Sequence, residues 1–339
     1  MINYSIPSEG SDLLYRTPNY ECFKFQWSPE YALLQKQFEQ IKQSGDANLI
    51  VIFLSNNPYH VEALIQLSLI FCKTGQIDRA LDLVKRALYY LESSSLESFK
   101  PYQGNIRMDH KIIENQMYFE ALFQYMRITI MFGMVKVSLN LSRLILSLDP
   151  LGDPYFILLR LDSQLIASNQ YDLFDEYWAA NVSLGKLMNY FQSDSLQPID
   201  IEKAASIQDL PSWQFSYGLV QYLKSSGETM EEKTKDLKFA IKSWPFFIIY
   251  ITKYAEIGTC VEWKNVIAHK YFNTSSPDRG NIFSHLAEIY GVISCNIWNR
   301  PELADILLFA CKSILREPNF EDQYMKKVKN NLICNCCDN

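Results

Sequence analysis

The chain has 339 residues, of which 48% are hydrophobic and 21% are charged, and its formal net charge is −6. With only 12 glycines and 13 prolines, this composition excludes a largely disordered chain and a loop-rich all-β fold. The acidic balance also disfavours tight direct binding to DNA or RNA, which depends on lysine and arginine neutralising phosphates.

The ends of the chain carry no signal for export or for a membrane. The N-terminus lacks a charged segment followed by an apolar one, and no apolar run approaches the ~20 residues of a membrane-spanning helix. We therefore expect reduced thiols and no membrane-integral segment. Near the C-terminus, Cys334, Cys336 and Cys337 lack a nearby fourth ligand for zinc, which favours a flexible cysteine-containing tail over a metal site.

The clearest secondary-structure pattern covers residues 57–91 and predicts two helices. Asn57 and Pro58 are typical of a helix start, and apolar residues follow at helical spacing. Gly75 suits a turn that requires positive φ, and Ala80 and Ala87 are small where two helices would approach closely. The spacing is that of a tetratricopeptide-like helix-turn-helix repeat.

Weaker copies of this pattern follow along the chain and predict an all-α solenoid of diverged helix pairs. The polar connection from Ser93 to Asn115 is interpreted as a long loop or lid, the pair Asp153 and Pro154 as the start of a later helix, and Pro301 as the start of another. We find no alternating strand pattern of usable length. The predicted organisation is an extended segment (1–22), an N-terminal helical repeat region (23–190), a C-terminal helical repeat region (191–329) and a flexible tail (330–339).

The sequence contains no motif for common enzyme chemistry. Phosphate-binding glycine loops, the His-Glu-x-x-His zinc motif, the nucleophile elbow and the EF-hand spacing do not occur. We therefore predict a protein that is not an enzyme and that uses neither a cofactor nor a metal ion.

Candidate partner-binding residues lie around the first predicted helix pair. Asn57, Tyr59, His60 and Gln66 would lie near the N-terminal mouth of a groove formed by the first helices of successive pairs. The free N–H groups of a helix start could hold an anion or an acidic peptide. The competing interpretation, local capping and packing, is favoured for His60.

Several motifs resemble the transcription factor 25 family, also called the ribosome quality control complex subunit 1 family. The match begins at Phe23 and is densest in the first predicted helix pair. Its main elements are Phe23-x-Phe25-x-x-Ser28-x-Glu30-Tyr31, Asn57-Pro58-Tyr59-His60-Val61, Gln66-Leu67-Ser68, Arg86-Ala87-Leu88-Tyr89, Leu144-Ile145-Leu146-Ser147-Leu148 and Leu210-Pro211-x-Trp213.

This resemblance implies a non-enzymatic subunit that acts in ribosome-associated quality control beside a listerin-type E3 ubiquitin ligase on stalled 60S subunits. The family is thought to direct ubiquitin linkage on incomplete nascent chains toward the type that leads to the proteasome. The implied partners are the ligase, the 60S subunit and ubiquitin, and the implied location is the cytoplasm, with the nucleus as a second location. The charged N-terminal extension usual in the family does not occur within these 339 residues, so its functions are not transferred.

Two other functions remain open at this stage. One is a nuclear transcriptional regulator, whose action would be indirect because the chain lacks a basic stripe. The other is a general peptide-binding repeat protein with a carboxylate clamp, for which Lys73, Arg79, Arg86 and Arg127 are candidates.

Overall fold

The structure is a computed structural model that describes residues 2–3, 20–182, 206–227, 229–274 and 282–317. Helices make up most of these residues, so the predicted all-α fold class is confirmed. The chain divides into two compact units, the first ending at Ile157 and the second beginning at Leu158. The predicted boundary at residues 190/191 and the predicted tail at 330–339 both lie outside the described residues.

The first unit consists of consecutive helices that pack as neighbouring pairs. α1 contacts α2, α3 contacts α4, and α5 contacts α6, while α3 and α4 both contact α5. This order of contacts is that of stacked helix pairs. The helices are α1 (Pro29–Ser44), α2 (Ala47–Asn56), α3 (Val61–Lys73), α4 (Ile77–Ser93), α5 (Ile113–Met131) and α6 (Val135–Leu148).

Similar three-residue turns join the helices within the pairs α3/α4 and α5/α6. The middle residue has a left-handed backbone, with φ of 76° at Gly75 and 71° at Gly133. The amide of Gln76 donates to the carbonyl of Phe71, at 2.8 Å, which satisfies a carbonyl left free at the end of α3. The predicted role of Gly75 is therefore confirmed. Asn169, at φ 57°, occupies the equivalent position in the second unit, where asparagine is the commonest substitute for glycine.

Small residues allow α3 and α4 to approach closely. Ala80 and Ala87 on α4 are fully buried, as predicted, and they leave room for the side chains of the facing helix. Whether the pairs belong to the tetratricopeptide class remains a prediction.

The predicted helix start at Asn57 and Pro58 is wrong. Asn57 caps the C-terminus of α2, and its amide donates to the carbonyl of Phe53. Helix α3 begins later, at Val61, with His60 as its N-cap. An Asn-Pro pair suits either a helix start or a turn, and here it forms the turn between two helices.

The connection between Ser93 and Asn115, predicted as a long loop or lid, is the long connection between α4 and α5, and it packs into the folded unit. It contains a 3-10 turn (Pro101–Gln103) and strand β3 (Ile106–Arg107). β3 pairs in parallel with strand β2 (Glu21–Lys24), which pairs antiparallel with strand β1 (Ile2–Asn3). The amide of Met108, a buried residue, donates to the carbonyl of Leu148 at 2.8 Å.

None of these strands is longer than four residues, which agrees with the absence of an alternating strand pattern of usable length in the sequence. β2 also crosses the predicted boundary at residue 22/23, so the first 22 residues are not wholly separate from the helical region.

Helix α7 starts later than predicted, because Asp153 and Pro154 belong to the turn before it. The Asp153 carboxylate accepts a hydrogen bond from the Ile157 amide at 2.6 Å, and the helix itself begins at Leu158. This turn therefore ends the first unit.

The second unit begins with the pair α7 and α8 and continues through packed helices of 4 to 17 residues. α9 packs on α7 and α11, α15 packs on α7, α9 and α12, and α16 packs on α11, α13 and α15. Pro301 is the first residue of α16, as predicted. The helices are α7 (Leu158–Ala167), α8 (Tyr171–Ala180), α9 (Pro211–Lys224), α10 (Met230–Lys233), α11 (Lys235–Ser243), α12 (Phe247–Tyr254), α13 (Val261–Ala268), α14 (Lys270–Thr274), α15 (Ile282–Trp298) and α16 (Pro301–Leu315).

A buried polar network connects three helices of the second unit. The Ser216 hydroxyl on α9 donates to Oδ2 of Asp162 on α7, at 2.7 Å, and lies 3.4 Å from the Tyr290 hydroxyl on α15. Trp298 Nε1 donates to that hydroxyl at 3.3 Å. Asp162 is fully buried, and burial raises the pKa of its carboxyl group to about 6, although the hydrogen bond from Ser216 opposes the rise.

Within the described residues, no helix is long and apolar enough to cross a membrane. The cysteines in these ranges, Cys22, Cys72, Cys260, Cys295 and Cys311, are free. The three cysteines of the predicted tail lie outside them.

Candidate functional site

The candidate site is formed by two neighbouring clefts in the first unit, each with a volume of about 440 Å³. Trp27 and Met117 line both clefts. We call them the acidic cleft and the aromatic cleft, after the residues that line them.

The acidic cleft is lined by the first helix of each pair in this unit. Residues of α1, α3 and α5 contribute most of the surface, and Tyr155 closes one side. The full lining set is Trp27, Gln35, Glu39, Lys42, Glu62, Ile65, Gln66, His110, Ile113, Gln116, Met117, Glu120 and Tyr155.

Glu62 is the buried charged centre of the acidic cleft. Its carboxylate accepts a hydrogen bond from Nε2 of Gln35 and forms an ion pair with Nζ of Lys42 at 2.6 Å. Because Glu62 lies in the first turn of α3, the helix dipole also favours its negative charge. Lys42 is half exposed, so this pair fixes the position of Glu62 more than it stabilises the fold.

Glu120 provides a second carboxylate, on α5. Burial raises its pKa, and the charge of Glu62 adds to the rise, whereas Lys42 and a hydrogen bond from Tyr155 oppose it. The Tyr155 hydroxyl lies 3.5 Å from Oε2 of Glu120, and its ring stacks on Phe123 with a centroid distance of 4.2 Å. Glu120 is therefore held in place on one side of the cleft.

The aromatic cleft lies between the start of α1, the start of α3 and the end of α4. Tyr59 is 64% exposed, and its ring meets the ring of Tyr90 edge to face, with a centroid distance of 4.7 Å. The lining residues are Phe25, Gln26, Trp27, Ser28, Tyr31, Tyr59, Val61, Tyr90, Leu91, Ser93, Ser94, Glu114 and Met117.

His60 lies in the core rather than on the surface. Only 1% of the residue is exposed, its Nδ1 accepts a hydrogen bond from the Ala63 amide at 3.2 Å, and its ring stacks on Tyr31 with an interplanar angle of 9°. Burial lowers its pKa to about 4, although the charge of Glu62 opposes the fall. This geometry matches the capping and packing interpretation and leaves the ring no surface for a partner.

The four predicted partner-binding residues are thus separated by the structure. Gln66 lines the acidic cleft and Tyr59 lines the aromatic cleft. Asn57 holds the turn before α3, through a hydrogen bond from its Nδ2 to the Phe53 carbonyl at 3.1 Å, and His60 is internal. Binding of a partner by Tyr59 and Gln66 remains a prediction.

The proposed carboxylate clamp finds no support in this site. Arg79 donates to Gln76, Arg86 faces Asp82 at 3.9 Å, and Arg127 donates to Gln124. Neither these arginines nor Lys73 lines either cleft.

Sequence reasoning did not identify Trp27, Glu39, Glu62 and Glu120 as site residues. One signal was present: Glu62 interrupts the apolar run Val61-Glu62-Ala63-Leu64-Ile65, and a charged residue on a buried helix face usually has a specific partner. The position of Glu120 opposite Glu62 depends on the packing of α3 against α5 and has no local signature.

The fold and its two clefts define a class of protein: a predominantly helical protein whose first unit consists of stacked helix pairs, with a groove lined by the first helices of these pairs. A family model described as "Transcriptional repressor TCF25" matches residues 23–335. The chain therefore belongs to this family, and the family resemblance noted from the sequence is confirmed.

Curated relatives have related names. A human protein named "Ribosome quality control complex subunit TCF25" is 34% identical over 191 residues, covering 55% of this chain and 28% of that protein. A mouse protein of the same name is 25% identical over 332 residues, covering 96% of this chain and 46% of that protein. The fission yeast protein "Ribosome quality control complex subunit 1" is 28% identical over 149 residues, covering 44% of this chain and 23% of that protein.

The chain thus spans less than half the length of these relatives. No solved structure matches it.

Proposed function

We propose that this chain is a non-catalytic adaptor in ribosome quality control, which assists an E3 ligase in ubiquitinating incomplete nascent chains on stalled 60S subunits. The observation that carries the proposal is the family match over residues 23–335, together with relatives named as subunits of the ribosome quality control complex. A relative named as a subunit of a complex supports an adaptor rather than an enzyme.

The geometry of the first unit suits an adaptor because the walls of its groove are held in fixed positions. Short turns with left-handed middle residues connect the helices within the pairs α3/α4 and α5/α6, and the walls come from α1, α3 and α5. A rigid surface that binds two partners raises the effective concentration of one at the other. Such a surface could hold the ligase and ubiquitin so that one acceptor lysine of ubiquitin is favoured, by orientation rather than by chemistry.

The proposed partners are a listerin-type E3 ligase, the 60S subunit and ubiquitin, and the proposed location is the cytoplasm, with a second pool in the nucleus. The test uses cells of the source organism in which the gene is deleted and a reporter mRNA stalls ribosomes. The chain is expressed with a tag, 60S subunits are isolated, and linkages on the reporter nascent chain are quantified by mass spectrometry.

We expect the chain to sediment with stalled 60S subunits and to restore the proteasome-directing linkage on the nascent chain. Restoration by a variant carrying Tyr59→Ala and Glu39→Gln should be weaker, whereas the control Tyr102→Ala, at another exposed tyrosine, should behave as the native chain. A chain that neither sediments with 60S subunits nor changes the linkages would refute the proposal.

A second candidate function is regulation of transcription through protein contacts. It is favoured by the family's description as a transcriptional repressor. A relative from Ampulloclitocybe clavipes named "Probable transcription factor claV" also favours it, being 31% identical over 137 residues that cover 40% of this chain and 18% of that protein. The formal charge of −6 argues against direct DNA binding. Recovery of chromatin proteins without ribosomal proteins in an affinity purification of the tagged chain would favour this function.

A further inference from the structure

The charged side chains that line the acidic cleft are mostly carboxylates, which accept hydrogen bonds. Glu39, Glu62 and Glu120 line it, and Lys42 is the one lysine or arginine among its described lining residues, so the acidic side chains outnumber the lysines and arginines by two. Lys42 is already paired with Glu62. Negative charge in a partly enclosed cleft attracts a cationic group.

Gln35 gives an independent indication of a missing donor. The residue lines the acidic cleft and is only 5% exposed. Its Nε2 donates to Glu62, whereas its Oε1 accepts no hydrogen bond from the described residues. A buried acceptor without a donor costs free energy, and a Lys or Arg side chain in the cleft would bring several N–H groups to this region.

The aromatic cleft beside it offers apolar surface. Of its three tyrosines, Tyr59 is exposed and Tyr31 and Tyr90 are half-buried, and Val61 and Leu91 contribute aliphatic surface. Exposed tyrosines lose little conformational entropy on binding and bury much apolar area. An apolar side chain is therefore the ligand group that fits this cleft.

We propose that the two clefts together form a docking site for an extended peptide segment of a partner protein, with a Lys or Arg side chain in the acidic cleft and an apolar side chain in the aromatic cleft. Trp27 and Met117, which line both clefts, would lie under the backbone between the two side chains. The charge of the site favours a basic peptide over an acidic peptide or a nucleic acid. This inference deepens the adaptor function and rests on it for the identity of the partner.

The distance between the two clefts sets the number of residues between the basic and the apolar side chain of the peptide. Glu114 lines the aromatic cleft and Glu120 lines the acidic cleft, and both are on α5. Their six positions along the helix correspond to about 9 Å. An extended chain covers that distance in about three residues, so the basic and apolar side chains should lie about three positions apart.

The test measures peptide binding to the purified full chain. The probes are fluorescent ten-residue peptides with one arginine and one leucine placed two, three, four or six positions apart in a Gly-Ser background, and binding is followed by anisotropy. Matched probes replace arginine by glutamate or by glutamine. We expect the tightest binding near a spacing of three, weaker binding of the glutamine probe, and none of the glutamate probe.

Variants assign the binding to the clefts. Tyr59→Ala should weaken binding by about tenfold, and Glu39→Gln should weaken it by about threefold and reduce its dependence on salt. The matched controls are Tyr102→Ala and Glu97→Gln, since Tyr102 and Glu97 are exposed and line neither cleft. All four positions are on the surface, so the variants should fold.

Equal binding of the arginine and glutamate probes, no binding of any probe, or equal losses in the controls would overturn the docking proposal. Peptide binding by the native chain is measured separately from its sedimentation with 60S subunits and from the linkages that it restores. A chain that binds the peptides but does not act on stalled subunits would keep the docking site and refute the adaptor function, and the reverse result would refute the docking site alone.

Discussion

The buried carboxyl group of Asp162 should make the protein less stable at neutral pH than at mildly acidic pH, and Asp162→Asn should remove this effect. In the folded state the pKa is raised from 3.8 to about 6, chiefly by burial. An acid whose pKa is raised on folding binds more protons in the folded state between these two values. Its contribution to stability is therefore most favourable below about pH 4 and is lost as the pH rises toward 6.

The size of the effect follows from the pKa difference. A rise from 3.8 to about 6 corresponds to about 3 kcal/mol of preference for the protonated form. Asparagine is uncharged and nearly the same size, and its Oδ1 can still accept the hydrogen bond from Ser216. We expect Asp162→Asn to raise the free energy of unfolding at pH 7.5 by up to about 3 kcal/mol and to have much less effect at pH 4.5.

The assay is urea denaturation of the full chain at both pH values, followed by circular dichroism. The difference between variant and native chain at each pH isolates Asp162 from the other ionisable groups. Asp305→Asn is the control, because Asp305 is an exposed residue of α16 and its substitution should give the same small change at both values. Destabilisation by Asp162→Asn that is equal at pH 4.5 and pH 7.5 would refute the reasoning, because the pKa of Asp162 would then be the same in the folded and unfolded states.

Three further predictions concern stability and can be checked on the same preparation. His60→Asn keeps a capping side chain but cannot ionise. Because burial lowers the His60 pKa from 6.5 to about 4, the contribution of His60 to the free energy of unfolding should fall by about 3 kcal/mol as the pH falls through this interval. The difference between the native chain and the variant in urea titrations at both ends of the interval measures this contribution. Gly133→Ala should lower the free energy of unfolding by about 1 kcal/mol, because the backbone φ of 71° at this position is strained for a residue with a side chain. Gly133→Asn should lower it less, since Asn169 occupies the equivalent position in the second unit, and thermal denaturation compares the two variants. Gly218→Ala should lower the free energy of unfolding by more than about 2 kcal/mol, because the Cβ of the new alanine would lie 2.5 Å from the Cα of Leu237. An unchanged Tm would contradict this prediction and show that α9 and α11 can move apart.

Local patterns predicted the parts of the fold that depend on a few neighbouring residues. The turn at Gly75 and the close packing at Ala80 were evident because each needs a residue with little or no side chain. Asn57 and Pro58 led to a wrong prediction of the helix start, because the same pair is favourable at a helix start and in a turn. The local sequence could not decide between them, and the packing of the His60 ring against Tyr31 did.

The strands and the clefts could not be predicted, because they depend on residues far apart in the chain. β2 and β3 are short and show no alternation that could be read, and they form only because the connection after α4 returns to the start of the chain. The acidic cleft combines Gln35, Glu62, Glu120 and Tyr155 from separate elements. The helices that line the groove were predicted from the general geometry of helix pairs, whereas the acidic character of the groove was not.

The pairing of β2 with β3 has a consequence for synthesis of the chain on the ribosome. Glu21 pairs with Ile106, 85 positions later, whereas each helix pair needs only residues close to its own turn. At about 5 to 20 residues per second, the ribosome takes several seconds to make the segment between the two strands. During that time α1 to α4 can form and pack, while the β2 edge that β3 will cover still has free hydrogen-bonding groups. The first unit can therefore be completed only after the segment following α4 has left the ribosome, and a nascent chain stopped before Ile106 would expose that edge.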